Sequence, residues 1–412
     1  MATAAAPTPW SAWTTPLALF LAPAFALYLP HALVITLAVC ALARLAECLW
    51  FRVVPQWRQP AVLLIMALAL WALASATWAI QTKAAVEGAA SLLGFGTLLL
   101  FSLDNGASLP EPARRRSFGA FFAGAMLATF LLLFEIISGG QLAAWFRGYD
   151  LSDNLQNELA TRSLNRGVSF LGVISPLVAL AAWRFFTGHR RLLALCATAL
   201  GLACALSWGK DAVLLAGAGA VGCAVLVLAP NPWPKRFFSA AIISLVVLWP
   251  LLTLQLPGPQ AIWEQWRAWP PSLQHRLFIW HFTAEHITEK PVLGWGMNSA
   301  KSIPGGDRDI DVGNDKGRLQ WRALPLHPHN AILQWWLELG AVGASLAAAL
   351  TILAATAICR LTSRVDRVTA AAVFGQICVI SLLSFGAWQS WWLATMVFAV
   401  WLIRILVPLD QA

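Results

Sequence analysis

The chain has 412 residues, of which 59% are hydrophobic and only 11% are charged, and its formal net charge is +9. This composition excludes an ordinary soluble globular protein. Apolar runs of about 17 to 25 residues recur along the chain, each long enough to cross the hydrocarbon core of a bilayer as a helix. These runs lack the alternation of apolar and polar residues that a membrane β-barrel needs. We therefore predict an all-α polytopic membrane protein.

The apolar runs predict about twelve transmembrane helices. In chain order they fall at residues 13–29, 31–49, 61–80, 84–103, 117–138, 167–184, 192–208, 212–229, 237–256, 330–358, 368–386 and 389–408. The prediction divides the chain into three parts. Residues 1–256 carry helices 1 to 9 and a loop at about 139–166, residues 257–329 form a large loop domain, and residues 330–412 carry helices 10 to 12.

Basic residues in the short connections predict the orientation. One set of connections holds most of them, namely Arg52, Arg58, Arg114, Arg115, Arg116, Arg184, Arg190, Arg191, Lys235, Arg236, Arg360, Arg364 and Arg367. The alternate short connections hold Lys83, Lys210 and little else. By the positive-inside rule the basic set is cytoplasmic, so both termini are predicted inside and both long loops outside. The net positive charge is then topological and gives no reason to expect a nucleic acid partner.

A few cations lie on the outer side, where the positive-inside rule gives them no role. Most of those in the long loops, Arg162 among them, are expected to be solvated. Arg166 in SLNRGVSF, Arg276 in QHRLFIW and Lys210 in SWGKDAV differ because each adjoins an apolar stretch. Guanidinium groups at a low-dielectric boundary suit the recognition of phosphate. The pattern indicates a lipid-linked phosphate or diphosphate.

Tryptophan is frequent in the large loop, at Trp263, Trp266, Trp269, Trp280, Trp295 and Trp321. Interfacial belts enrich tryptophan for structural reasons, and this is the expectation for any one of them. Stacking against sugar faces or lipid tails is the alternative.

The stretch HPHNAILQWWLELGAVGA, residues 327–344, places histidines where a span begins. On a helix, His329 would top one face that continues through Leu333, Trp336, Gly340 and Gly343. A histidine in the first turn of a helix has a lowered pKa because it lies at the positive end of the helix dipole. The neutral imidazole that results can accept a proton, so His329 is a candidate general base. Glu338 is expected to make a buried hydrogen bond to a neighbouring span.

The combined pattern resembles the O-antigen ligase and polymerase superfamily. His329-Asn330, nine residues and then Gly340-Ala341-Val342-Gly343 are similar to that family's H-[NSQ]-x9-G-x-x-G pattern, and PVLGWGMNS at 291–299 is similar to its P-[LV]-L-G-x-G stretch. Arg276 and Arg166-Gly167 also occupy places typical of the family. The firm resemblance covers residues 276–343. SWGKDAVLLAG at 207–217 departs from it, since Lys210 stands where relatives often have arginine.

The resemblance implies a GT-C-like membrane glycosyltransferase, an O-antigen ligase of the bacterial inner membrane with its active site facing the periplasm. It would transfer O-antigen from undecaprenyl diphosphate to a sugar hydroxyl of lipid A–core oligosaccharide, with membrane lipids as neighbours and without a cofactor. His329 would be the general base, and Arg166, Arg276 and Lys210 would bind the diphosphate. Direct displacement would invert the anomeric configuration. Candidate contacts to glycan or lipid are Asn330, Arg162, Trp280 and Trp295.

Other mechanisms and activities stay open at this point. A two-step reaction would need a carboxylate nucleophile such as Asp153, Glu285 or Asp307. A metal could neutralise the diphosphate, but DRDID at 307–311 lacks the rest of a calcium loop, and HFTAEH at 281–286 lacks the spacing of helical zinc sites; no metal is predicted. The nearest rival activity is O-antigen polymerase, with a lipid-linked glycan as acceptor. Protein O-oligosaccharyltransferase and lipid transporter rank below it. A transporter should carry charged residues near the bilayer midplane of several spans, whereas the polar residues here gather at the outer rim, with Glu338 the main exception.

Overall fold

The computed structural model describes residues 9–314 and 317–407, except for the side chains at 210–212, 314, 317 and 318. These residues form fifteen α-helices and one two-stranded antiparallel hairpin. The helices are α1 (Ser11–Tyr28), α2 (Ala32–Phe51), α3 (Pro60–Ala74), α4 (Thr82–Ser108), α5 (Glu111–Ser138), α6 (Gln141–Arg147), α7 (Asn154–Ser163), α8 (Asn165–Phe185), α9 (Gly188–Leu226), α10 (Trp233–Leu254), α11 (Pro259–Gln265), α12 (Pro271–Glu289), α13 (Ala331–Cys359), α14 (Arg364–Leu383) and α15 (Ser390–Leu406). The hairpin strands are β1 (Asp309–Asn314) and β2 (Gly317–Arg322).

The helices have the lengths and composition of membrane spans. Ten described helical stretches are long and apolar enough to cross a bilayer. Two shorter apolar stretches, Val213–Leu226 and Ser390–Leu406, fall on the two remaining predicted spans. The prediction of an all-α polytopic membrane protein is therefore confirmed.

Helix α9 covers two of the predicted spans. The first residue of α9, Gly188, comes shortly after the end of α8. Arg184, near that end of α8, donates to both carboxylate oxygens of Asp366 at the start of α14, at 2.5 and 2.7 Å. Near its other end, Cys223 lies 3.0 Å from the place where a Cβ on Gly375 of α14 would be. One straight helix would separate residues 188 and 223 by about 50 Å, whereas residues 366 and 375 are about 14 Å apart along α14. The stretches on either side of residues 210–212 thus run in opposite directions.

Helix α13 is broken at Gly340, whose backbone has φ 62° and ψ −164°. The break leaves carbonyl groups without helical partners, and the chain between α12 and β1 supplies donors for them. The amides of Trp295 and Gly296 donate to the carbonyls of Leu337 and Glu338, each at 2.8 Å. The amide of Ala341 donates in return to the carbonyl of Pro291 at 2.8 Å. Residues 291–296, here called the insertion loop, therefore fill the gap in the helix.

Residues 255–314 and 317–330 pack over one end of the helix bundle, and this end is called the loop face below. Inward side chains of the hairpin, Val312 and Trp321, join Phe278 and Trp280 of α12 in one apolar cluster. Leu333 and Leu337 of α13 belong to the same cluster. The first turns of α13 are thus enclosed by the loop segment, and the residues just before α13 lie beneath it.

We expect Gly340→Ala to destabilise the protein. A Cβ at Gly340 would lie 2.1 Å from the carbonyl oxygen of Val292, and the positive φ is itself unfavourable for alanine. A residue forced into such a conformation costs about 1–3 kcal/mol before any clash is counted. The thermal unfolding midpoint in detergent should fall clearly.

Gly217→Ala is the matched control, because nothing lies within 4 Å of the Cβ position at Gly217 in α9. Its midpoint should not fall. An unchanged midpoint for Gly340→Ala would show that the break in α13 is not required for stability.

Candidate active site around two histidines

The histidine stretch forms a turn that leads into α13. Asn330 is the N-cap residue: its side-chain oxygen accepts from the amide of Leu333 at 3.0 Å, and its side-chain nitrogen donates to the carbonyl of Leu382 at 3.2 Å. His329 precedes this cap and has a φ of 53°. The expectation that His329 lies in the first helical turn and tops an unbroken face is therefore wrong. Asn330 caps the helix after His329, and Gly340 interrupts the face.

One hydrogen bond determines which ring nitrogen of His329 carries the proton. Its Nδ1 lies 2.6 Å from the carbonyl oxygen of Ser384, the residue that follows α14. A carbonyl can only accept, so Nδ1 carries the proton. In the neutral ring Nε2 then has a free lone pair. His329 is partly exposed, so this nitrogen is placed to accept a proton.

The surroundings keep His329 unprotonated. Burial lowers the pKa of His329 most, and the charge of Arg276, together with that of His275 when its ring is protonated, lowers it further. The hydrogen bond to Ser384 acts in the opposite direction and raises it. A lowered pKa was expected from the helix dipole, and burial and neighbouring charge lower it here.

His327 is a second histidine of the site, and it was absent from the candidate residues. It is buried, and its ring centroid lies 4.3 Å from that of His329. Its Nδ1 accepts from the amide of His329 at 3.1 Å, and its Nε2 lies 3.1 Å from the side-chain nitrogen of Gln389. Burial lowers its pKa to about 3, with contributions from His329, Lys301, Arg166 and Arg276. The His-Pro-His spacing was the only sequence signal for this pair.

The predicted arginines converge on the histidine pair. Arg166 and Arg276 both lie close enough to His327 for their charges to lower its pKa. Arg166 begins α8, where Gly167 permits close packing on α1, since a Cβ there would be 2.3 Å from the carbonyl oxygen of Leu27. The charge of Arg166, after burial, also lowers the pKa of His31.

Both arginines are available to a ligand. Within the described part of the chain, neither Arg166 nor Arg276 forms an ion pair with a carboxylate. Arg166 is exposed and lies 6.0 Å from the ring of Trp391, and Arg276 is partly buried. Burial lowers the pKa of Arg276, which indicates a cation held without a compensating anion. Unpaired cations at a low-dielectric boundary favour the binding of an anion.

The remaining candidate residues have other surroundings. Trp280 donates to the carbonyl of Pro328 at 2.9 Å and so holds the histidine turn, whereas Trp295 donates to the carbonyl of His286 at 2.9 Å. Arg162 is exposed and pairs with Glu158 within α7. The side chain of Lys210 lies outside the described residues.

The carboxylates considered for a nucleophile or a metal are scattered. Asp153 caps α7 by accepting from the amide of Gln156 at 3.0 Å, and Glu285 lies 3.4 Å from His281. Asp307 is exposed in the turn before β1. Among the described residues no group of three His, Cys, Asp or Glu side chains could hold a metal ion.

The chain is similar to known proteins over the region that contains these residues. The family model described as O-antigen ligase (Wzy_C) matches residues 159–348, a range that includes Arg166, Arg276, both site histidines and Gly340. A Rickettsia conorii protein named "Putative polysaccharide ligase" is 33% identical over 75% of this chain and 71% of its own length. Proteins of the same name from Rickettsia felis and Rickettsia typhi are 36% and 37% identical, over 46% and 43% of both lengths. This multi-pass membrane protein therefore belongs to the O-antigen ligase family.

Proposed function

We propose that the protein is an O-antigen ligase of the bacterial inner membrane. It transfers a polysaccharide from undecaprenyl diphosphate to a sugar hydroxyl of lipid A–core oligosaccharide, and its loop face is the periplasmic face. The proposal rests on the geometry at His329. Its Nδ1 donates to the carbonyl of Ser384, which leaves a lone pair on Nε2, and Arg166 and Arg276 lie nearby without an ion-pair partner among the described residues.

His329 is the general base in this reaction. A sugar hydroxyl has a pKa far above 7, so it needs a base that removes its proton as it attacks. Nε2 of His329 takes that proton while the hydroxyl oxygen forms a bond to the anomeric carbon of the donor. The bond from that carbon to the diphosphate oxygen breaks in the same step. A single displacement of this kind inverts the anomeric configuration.

The arginines act on the leaving group. The departing diphosphate oxygen gains negative charge in the transition state, and cations placed beforehand stabilise such charge. Arg166 and Arg276 are supported in this role because both lie near the histidine pair and, among the described residues, neither pairs with a carboxylate. Lys210 is a third candidate from the sequence. With these cations the displacement proceeds without a metal ion.

We expect His329→Asn to abolish most of the transfer activity. Asparagine tolerates the positive φ at this position better than alanine does, so the turn should be kept while the base is lost. Loss of a general base lowers the rate by about 10²- to 10⁴-fold. The assay uses purified protein, undecaprenyl-diphosphate-linked glycan and lipid A–core, with and without EDTA.

His189→Asn, an exposed histidine at the start of α9, is the control for the loss of an imidazole. If transfer survives in His329→Asn, His329 is not the general base. If EDTA abolishes transfer by the original enzyme, the reaction depends on a metal ion. If the glycan passes only to a second lipid-linked glycan, the protein is a polymerase instead.

We further expect Arg276→Gln to move the acid limb of the activity profile to higher pH. His329 must be neutral to act, so activity falls as the pH drops through its pKa. The charge of Arg276 lowers that pKa, hence its removal should raise it. The pH dependence of kcat/KM measures the midpoint separately from the size of the remaining activity.

Arg267→Gln is the matched control, because Arg267 is exposed in the same segment and its charge is not among those that lower the pKa of His329. If the midpoint is the same in both variants, the titrating group is not His329.

A further inference from the structure

Residues 384–389, the connection between α14 and α15, hold both site histidines. Ser384 accepts from Nδ1 of His329, and Gln389 lies against Nε2 of His327. Between them, Gly386 comes so close to the ring of His327 that a Cβ would lie 3.0 Å from its Cδ2. The orientation of both imidazoles therefore depends on the position of this connection.

Two side chains of α13 hold the connection in place. The amide of Ala387 donates to the side-chain oxygen Oε1 of Gln334 at 2.8 Å. The indole nitrogen of Trp388 donates to Oε2 of Glu338 at 2.9 Å. Gln334 and Glu338 are four residues apart and share one face of the helix. They are joined by a bond of 3.0 Å from the Gln334 nitrogen to Oε1 of Glu338.

Glu338 is the hub of these bonds and is 0% exposed. Besides Gln334 and Trp388, the amide of Asn298, two residues beyond the insertion loop, donates to it at 2.7 Å. All three neighbours are donors, so the side chain accepts at both oxygens, as an ionised carboxylate does. Such a buried carboxylate is stable only while its hydrogen bonds are satisfied. The insertion loop, α13 and the 384–389 connection are thereby fixed to one another.

Glu338 lies too deep to take part in the chemistry at His329 directly. Glu338 follows His329 by nine positions, which is about 13 Å along a helix axis. Its partners instead lead to the connection that holds the histidine ring.

We propose that Glu338, together with Gln334, is a positioning residue that holds Nε2 of His329 in its proton-accepting orientation. This inference rests on the proposed function of His329 as the base. A shift of reacting groups by about 1 Å can lower a rate 10²-fold, so a distortion of the 384–389 connection is sufficient to be measured.

The hydrogen-bond pattern permits a specific test. In Glu338→Gln, one acceptor oxygen becomes a donor. Gln334 cannot rotate to receive it, because its own oxygen already accepts from Ala387. In Gln334→Glu, two carboxylates face each other across 3.0 Å. Each single variant therefore breaks the network with almost no change in side-chain volume.

The double variant Gln334→Glu/Glu338→Gln restores the bonds that positions 334 and 338 make to each other and to Ala387, Asn298 and Trp388. Glutamate at position 334 accepts from Ala387 and from the new amide nitrogen at position 338. The amide oxygen at 338 accepts from Asn298 and Trp388. We expect each single variant to lower kcat by about 10- to 100-fold, with little change in the KM for the donor, and the double variant to recover within about threefold of the original enzyme.

A second pair of variants removes one indole N–H each. Trp388→Phe removes the donor to Glu338, whereas Trp336→Phe removes a similar bond, of 2.8 Å, to the carbonyl of Val246 outside the network. Only Trp388→Phe should lower kcat and move the acid limb of the pH profile. A merely structural role would lower the unfolding midpoint of both and leave the acid limb in place.

The outcomes separate the two proposals. If His329→Asn keeps its activity, the proposed function fails whatever happens at position 338. If His329→Asn is inactive but Glu338→Gln is as active as the original enzyme, the positioning role alone is overturned. A double variant that melts normally but stays as inactive as the single variants would also overturn it, since the charge at 338 itself would then be needed. Should Glu338→Gln not fold, the Trp388→Phe and Trp336→Phe pair decides.

Discussion

The architecture of this site depends on how the break in α13 is satisfied. Inside an apolar bundle, a carbonyl released from a helix must find another donor, because an unpaired polar group there costs several kcal/mol. The amides of Trp295 and Gly296 meet this requirement, and Gly294 and Gly340 let the two backbones approach. Once the insertion loop is fixed, Asn298 reaches Glu338. Glu338 also accepts from Trp388, which belongs to the 384–389 connection that holds the histidines.

The cations and histidines of the site depend on one another. Burial disfavours a proton on both imidazoles most, and the charges of Arg166 and Arg276 at His327, and of Arg276 at His329, act in the same direction. In the proposed reaction, a diphosphate bound by the same arginines offsets their charge. The basicity of His329 would then rise when the donor arrives. The arginines would thus both stabilise the leaving group and adjust the base.

Hydropathy predicted the fold class and the approximate positions of the spans, because each crossing requires a long apolar run. Motif resemblance and the boundary positions of the cations predicted Arg166, Arg276 and His329 as site residues. Local patterns could not predict the break at Gly340, since GAVG also fits an unbroken helix that packs closely on its neighbour. The contacts of Ser384 and Gln389 with the histidines could not be predicted from the sequence either. Their contacts join residues 55 and 62 positions apart, and a prediction that ended one span at 386 and began the next at 389 left almost no connection between them.

The proposed reaction requires His329 to be neutral at pH 7, with its proton on Nδ1 and a free lone pair on Nε2. The most direct measurement is the ¹⁵N spectrum of protein labelled at the histidine ring nitrogens, with His329→Asn used to assign the His329 signals. We predict a protonated Nδ1 and an unprotonated Nε2 at pH 7. A proton on Nε2, or on both nitrogens, would contradict the account, because His329 could not then accept the proton of the acceptor hydroxyl.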